Sequence, residues 1–229
     1  MISVCIATYN GQKYIKEQVD SIISQLAPSD EIIVSDDEST DNTIAILKQF
    51  NDQRIIVIEN NNRKGVVGNF ENALNHATGE YIFLADQDDV WHPNKVKICL
   101  EYLQNNDCIL HDAQVVDENL TETTPSFFKQ RNTKLGYWNN IYINGFVGCC
   151  MAFNRKLLNK ILPFPNNIAM HDIWIGLIAS KKYKVELIHK PLIKFRRHSS
   201  NTSCTAGKSN LSLWSKIQYR VIMLKTLLK

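Results

Sequence analysis

The sequence predicts an α/β fold, with a mostly parallel central sheet and helices on both of its faces. Two observations predict it. Over the first hundred residues, short β-branched runs alternate with segments of helical period, the pattern of parallel strands joined by right-handed crossovers. Each run then ends in polar residues, at the carboxyl ends of the strands where open α/β sheets collect their ligands.

Strands are expected at 2–7, 31–35, 54–58 and 80–84. Between the first two, Tyr14, Ile15, Gln18, Val19, Ile22, Ile23 and Leu26 keep helical spacing until Pro28. Residues 43–50 and 69–77 read as the next two helices, with Gly79 as the stop of the third. After residue 90 the pattern loosens into a helix at 94–104, a strand at 108–116 and a polar stretch, 117–140, that reads as a loop over the site. Residues 145–153 look buried, 154–162 and 172–181 helical, and 185–197 extended, so the second half is α+β material wrapped onto the first sheet. From Asn210 onward Leu211, Trp214, Ile217, Val221, Leu224 and Leu228 form an apolar helical stripe with Lys216, Arg220, Lys225 and Lys229 beside it. The expected organisation is one domain over 1–205, in halves 1–105 and 106–205, followed by a short basic amphipathic helix within 206–229.

A chain of 229 residues is long enough to bury a full sheet-and-helix core, and 44% hydrophobic with 21% charged residues is ordinary globular composition. The net charge of +3 hides an asymmetry. Residues 1–180 carry 14 Lys/Arg against 22 Asp/Glu, whereas 181–229 carry 12 against one, Glu186. An acidic body suggests a cation- or nucleotide-binding centre and argues against nucleic acid as a partner. The basic end is expected to meet an anionic membrane surface or a protein partner, the plainer alternatives being a solvated face or a helix packed on the core. Cys5, Cys99, Cys108, Cys149, Cys150 and Cys204 show no CxxC spacing and mostly sit in apolar runs, which favours reduced thiols. Met1 leads straight into a strand, and no stretch approaches the ~18 apolar residues of a membrane span. A cytoplasmic location follows, with any membrane contact peripheral, through the tail.

The polar strand ends carry the chemistry. Strand one is followed by Thr8-Tyr9-Asn10-Gly11, strand two by Asp36-Asp37-Glu38-Ser39-Thr40-Asp41, strand three by Asn60-Asn61-Asn62-Arg63-Lys64-Gly65, and strand four by Asp86-Gln87-Asp88-Asp89. Carboxylates crowded on adjacent strand ends repel unless a cation or hydrogen-bond donors compensate them. Asp86 and Asp88 straddle one residue, so an extended turn aims both to one side, one toward a hard divalent ion and one toward a sugar hydroxyl.

Ile6-Ala7-Thr8-Tyr9-Asn10, Val34-Ser35-Asp36-Asp37-Glu38-Ser39-Thr40-Asp41, Gly79-Glu80-Tyr81-Ile82, Ala85-Asp86-Gln87-Asp88-Asp89-Val90-Trp91, Gly148-Cys149-Cys150, His171-Asp172 and Arg197-His198-Ser199-Ser200-Asn201 form an ordered series over about 1–205 that resembles glycosyltransferase family 2, the inverting enzymes of GT-A fold. The Asp-Gln-Asp-Asp-Val-Trp form, residues 86–91, is most similar to bacterial surface-polysaccharide transferases, including rhamnosyl- and galactosyltransferases. The resemblance implies a UDP- or dTDP-sugar donor, with Asp37 accepting from the pyrimidine, Thr8 and Tyr9 lining the base pocket and Asp86 holding the ribose or sugar. Asn10, Lys64 and Gln87 join these as donor contacts, and Arg197 as a phosphate contact. It implies Mg²⁺ or Mn²⁺ on Asp88, with His198 as a further ligand. Asp172 matches the general base that takes the proton of a hydroxyl on a glycan or lipid-linked acceptor, and Asp112 is the next candidate for that role. By position alone Asp172 also reads as the N-cap of a helix starting at Ile173. The Gln-x-x-Arg-Trp signature of processive synthases is absent, which implies a single transfer per binding event. Two other readings stay open: a nucleotidyl- or phosphotransferase, although no Gly-rich phosphate loop follows strand one, and a non-catalytic nucleotide-binding scaffold.

Overall fold

A computed structural model describes residues 1–199 apart from Asn62 and Asn167. The tail expected within 206–229, Cys204, and the Ser200 and Asn201 of the last motif lie outside the described residues.

The first half alternates as expected: β1 (Ile2–Thr8), α1 (Ile15–Ile23), β2 (Glu31–Asp36), α2 (Thr43–Gln49), β3 (Ile55–Glu59), α3 (Val66–His76) and β4 (Tyr81–Asp86). These four strands are parallel and lie in the order β3-β2-β1-β4. The chain steps outward from β1 to β3, then jumps back across β1 to reach β4. With right-handed crossovers that reversal puts α3 on the opposite face from α1 and α2, and it opens a crevice between the carboxyl ends of β1 and β4. In register, Thr8 pairs with Asp36 and Ala7 with Asp86, so the polar strand ends form one row.

The second half contributes β5 (Val90–Trp91), α4 (Lys95–Leu103), β6 (Cys108–Val116), β7 (Glu122–Thr124), α5 (Phe127–Arg131), α6 (Tyr137–Tyr142), a 3-10 turn (Gly148–Cys150), β8 (Met151–Asn154), α7 (Arg155–Ile161), α8 (His171–Lys182) and β9 (Val185–Arg196). β8 runs antiparallel between β4 and β6, and β9 extends the sheet parallel to β6. Strict parallel order therefore belongs to the first half. α8 packs on α3 and α7, joining the second half to one face of the first.

Three local expectations are corrected. The stretch 117–140 is not a plain loop: it holds β7, paired with β6, the start of α6, and α5, whose start is tied to Asp112, the carboxylate accepting from the Ala113 and Phe128 amides and the Ser126 hydroxyl. The third helix starts at Val66, and its C-cap, Ala77, is already extended, so Gly79 does not stop it. Gly79 is needed for close approach, since a Cβ there would lie 2.7 Å from the backbone of Ile2 and Ser3. The five cysteines among the described residues are free and buried. No helix among the described residues is long and apolar enough to cross a membrane.

Candidate active site

At the β1 end the chain makes a tight turn that depends on Gln87. The Gln87 Oε1 accepts from the Thr8 hydroxyl at 2.6 Å and the Tyr9 amide at 3.0 Å, while its Nε2 donates to the Tyr9 carbonyl at 3.1 Å. A Cβ on Gly11 would come within 2.4 Å of the same oxygen, so a larger residue there would have to displace this clamp. Asn10 stands at φ 49° and locks to the next loop, donating its amide to the Ser39 hydroxyl and accepting from the Thr40 amide. Thr8, Asn10 and Gln87 thus spend their polar groups on one another's loops. These bonds brace the turn beside the strand ends where the donor is expected. Tyr9, 56% exposed, is the aromatic surface that this bracing holds out.

Across the crevice Asp37 ties β2 to the loop after β3. Its two carboxylate oxygens accept from Asn60 Nδ2 and the Gly65 amide, each at 2.8 Å. A carboxylate oxygen has two acceptor sites, so each retains capacity for a further donor. Lys64 sits at the rim, paired with Glu38 at 2.6 Å with both side chains largely exposed.

The acidic centre follows β4. Gln18 Nε2 holds the Asp86 carbonyl at 2.7 Å, which fixes where the strand ends. Burial, then the neighbouring Asp88 and Asp172, push the Asp86 carboxyl up to about 7. Asp88 Oδ2 lies 2.8 Å from His198 Nε2, and the imidazole is seated against the Tyr14 ring with centroids 4.7 Å apart. Asp89 is 1% exposed; its Oδ1 accepts from the Arg196 amide, and burial raises its pKa, followed by Asp88 and Asp86.

β9 brings the second half to this centre. An extended strand alternates sides, so Arg196 and His198 share one face and Arg197 takes the other. Arg196, 3% exposed, donates to the carbonyls of Asp88 and Glu118, pairs with Glu17 and stacks on Tyr14 at 4.6 Å. Arg197 instead lies over Phe195 at 5.4 Å. The structure therefore puts Arg196 beside the Asp88 loop. Arg196 was missed in the sequence, although period-two alternation back from His198 would have found it.

Asp172 arrives from α8. The N-cap of that helix is Met170, so Asp172 lies in the first turn and the capping expectation is corrected. Its carboxylate accepts from the Ile173 amide at 2.7 Å and from the amide of Gly148, while burial pushes its pKa up to about 6. His171 beside it is a neutral packing group. It is 3% exposed and stacked on Phe70 at 4.0 Å, with burial lowering its pKa to about 3.

Two donor sets are candidates for a cation. Asp88 and His198 offer an oxygen and an imidazole at 2.8 Å, close to the ~2.9 Å between neighbouring ligands on an octahedral ion with bonds of about 2.0–2.1 Å. Asp86, Asp89 and Cys149 also place one donor atom each within 4.8 Å of one another. A hydrogen bond with Cys150 and then burial hold the Cys149 thiol protonated, and sulfur is a poor ligand for hard ions, so the first set suits Mg²⁺ or Mn²⁺ better.

Residues 3–162 match the model of glycosyl transferase family 2. The chain belongs to glycosyltransferase family 2. Among its relatives is the UDP-Glc:alpha-D-GlcNAc-diphosphoundecaprenol beta-1,3-glucosyltransferase WfaP of Escherichia coli, 39% identical over 98% of this chain and 91% of the relative. The dTDP-rhamnosyl transferase RfbG of Shigella flexneri is 29% identical over 86% of this chain and 70% of its own length. The structure of S. aureus TarS 1-349 in complex with UDP-GlcNAc superposes with a TM-score of 0.75 at 22% identity, covering 97% of this chain and 66% of that one. That likeness is one of fold, and the fold of this glycosyltransferase is GT-A.

Proposed function

We propose that this glycosyltransferase moves one sugar from a UDP- or dTDP-sugar to a hydroxyl of a lipid-linked glycan, inverting the anomeric centre with the help of Mg²⁺ or Mn²⁺. The observation that carries the reading is the convergence on one crevice of a half-buried carboxylate from α8, Asp172, with Asp86, Asp88 and His198. Tyr9 and Asp37 receive the nucleobase, the ring stacking and the carboxylate accepting from the pyrimidine N–H. Asp86, with its pKa near 7, can donate to or accept from a ribose or sugar hydroxyl. Asp88 and His198 would hold the divalent ion, which when bound neutralises charge growing on the leaving diphosphate.

Asp172 takes the acceptor proton. With a pKa of about 6 it is mostly ionised at neutral pH yet more basic than an ordinary carboxylate. Its own chain donors, the Ile173 and Gly148 amides, orient it from behind. The GlcNAc-diphosphoundecaprenol in the name of WfaP supports a lipid-linked acceptor here, and WfaP and RfbG together support a pyrimidine nucleotide donor.

The test is transfer from a panel of UDP- and dTDP-sugars to a polyprenyl-diphosphate-linked sugar, with and without Mn²⁺ or Mg²⁺, followed by NMR of the product. An anomeric configuration opposite to the donor's is expected, and retention would overturn the single-displacement mechanism. Calorimetry of Asp88→Ala should show that metal-dependent donor affinity is lost; wild-type affinity there would remove Asp88 from the metal site.

A further inference from the structure

The segment of the second half that carries Asp172 has an unusual charge. Residues 123–185 contain nine Lys/Arg and a single acidic residue, Asp172 itself, whereas residues 1–122 contain 8 Lys/Arg and 21 Asp/Glu. Within this basic segment, α6 turns three large apolar side chains outward: Trp138 is 74% exposed, Tyr142 73% and Ile143 63%. The other exposed large hydrophobics among the described residues, Met1, Tyr9, Ile56 and Tyr102, are scattered along the chain. Scattered exposure of this kind is ordinary, but a contiguous apolar patch marks a contact surface.

The patch is held rigidly. Tyr137 and Ile141 pack inward on the core, while Asn140, 3% exposed, donates to the carbonyls of Lys134 and Gly136 and accepts from the Gly145 amide. Trp138 and Tyr142, four residues apart, therefore share the outer side of the helix. Lysines lie close by in sequence and space. Lys129 and Lys134 are exposed just upstream, and the Lys181 ammonium lies 6.0 Å from the Tyr137 ring that meets Trp138 edge-on. From Ile143 only five residues lead to Gly148, whose amide holds Asp172, a span of at most roughly 18 Å of chain.

We propose that α6 and these lysines form the membrane-docking face of this enzyme, seating on an anionic bilayer. Trp and Tyr favour the headgroup region, and each Lys or Arg near an anionic leaflet adds attraction. Docked there, the α8 side of the crevice faces the leaflet from which a lipid-linked acceptor presents its hydroxyl. The placement rests on the acceptor reading above; the docking face itself stands or falls without it.

Flotation of the full chain with phosphatidylcholine vesicles, with and without phosphatidylglycerol, tests it. Wild type is expected to float with the anionic vesicles, and Trp138→Ser/Tyr142→Ser to lose roughly tenfold or more in partitioning. The double variant should keep its melting temperature and its donor affinity by calorimetry, which separates docking from the transferase reading. Brominated lipids should quench wild-type fluorescence more than that of Trp138→Phe. Wild-type flotation by the double variant would assign docking to the C-terminal tail and overturn the proposal. Concentration-dependent self-association that the double variant abolishes, without vesicle binding by wild type, would give the face to a second copy.

Discussion

The two halves of the molecule place their functional side chains by different means. In the first, Asp37 and Asp86 stand at or just past strand ends, and parallel register alone sets their rows: Thr8 against Asp36, Ala7 against Asp86. In the second, Asp172 lies in a helix turn and His198 beyond a twelve-residue strand, and both reach the centre through contacts distant in sequence. The first half is thus a binding surface built by local geometry. On the proposed mechanism the second supplies the catalytic group, whose placement depends on tertiary ties, and the two should respond differently to substitution.

The largest effect is expected at Asp172. Asp172→Asn keeps an oxygen for the Ile173 amide while losing the proton acceptor, so transfer should fall by about 10²–10⁴ with donor affinity unchanged. A parallel loss of donor affinity would mean that the halves are not separable. Near-normal transfer would move the base elsewhere, and Asp112 would be a poor successor because it is 4% exposed and already accepts from three donors.

Next in size is the tie itself. Arg196→Gln removes the guanidinium that joins the Asp88 and Glu118 carbonyls to Glu17, and should cost about 3 kcal/mol in denaturant unfolding. Arg197→Gln, on the opposite face of β9, should cost less than about 1 kcal/mol. Equal costs for the two would contradict the assignment of Arg196 as the link.

The pH dependence sharpens the same contrast. Burial raises Asp172 from 3.8 to about 6, so below that pH its base form is depleted and kcat/KM should fall about tenfold per unit. Stability runs the other way. A carboxyl whose folded pKa lies above its unfolded value binds its proton more tightly when folded, so its contribution is lost as pH rises from 3.8 through about 6. Wild type should therefore gain stability relative to Asp172→Asn as pH drops from 7 to 4, and a constant difference in Tm would refute the raised pKa.

How much was legible follows the same division. The four parallel strands, their helices and the row of strand-end polar residues could be read because period and punctuation are local properties of the chain. Asp172 and His198 were found only through motif resemblance. Arg196 was passed over for its neighbour because nothing local says which side of a strand faces the centre until one residue on it is anchored. The bracing roles of Asn10 and Gln87 were equally invisible, since they depend on loops 29 and 78 residues away. The segments β7 and α5 were hidden for a related reason: β7 is ordered by pairing with β6, and α5 by the buried carboxylate of Asp112 together with Phe127 and Phe128 on the core.

The smallest effect is expected at Lys64, and it tests whether the first half meets the donor's charge as well as its base. Lys64 and Glu38 form an ion pair at 2.6 Å with 51% and 63% of their side chains exposed, and such pairs are worth about 0–1 kcal/mol because water screens them. Lys64→Ala should therefore leave Tm within a degree or two. If Lys64 leaves Glu38 to meet the donor diphosphate, the same substitution should weaken donor affinity severalfold, and raising ionic strength should erase much of the difference from wild type. Glu38→Gln supplies the opposite sign: freeing Lys64 from its partner should strengthen donor binding slightly. Donor affinity unchanged in both variants would leave Lys64 as a surface cation and assign the diphosphate entirely to the Asp88 and His198 centre.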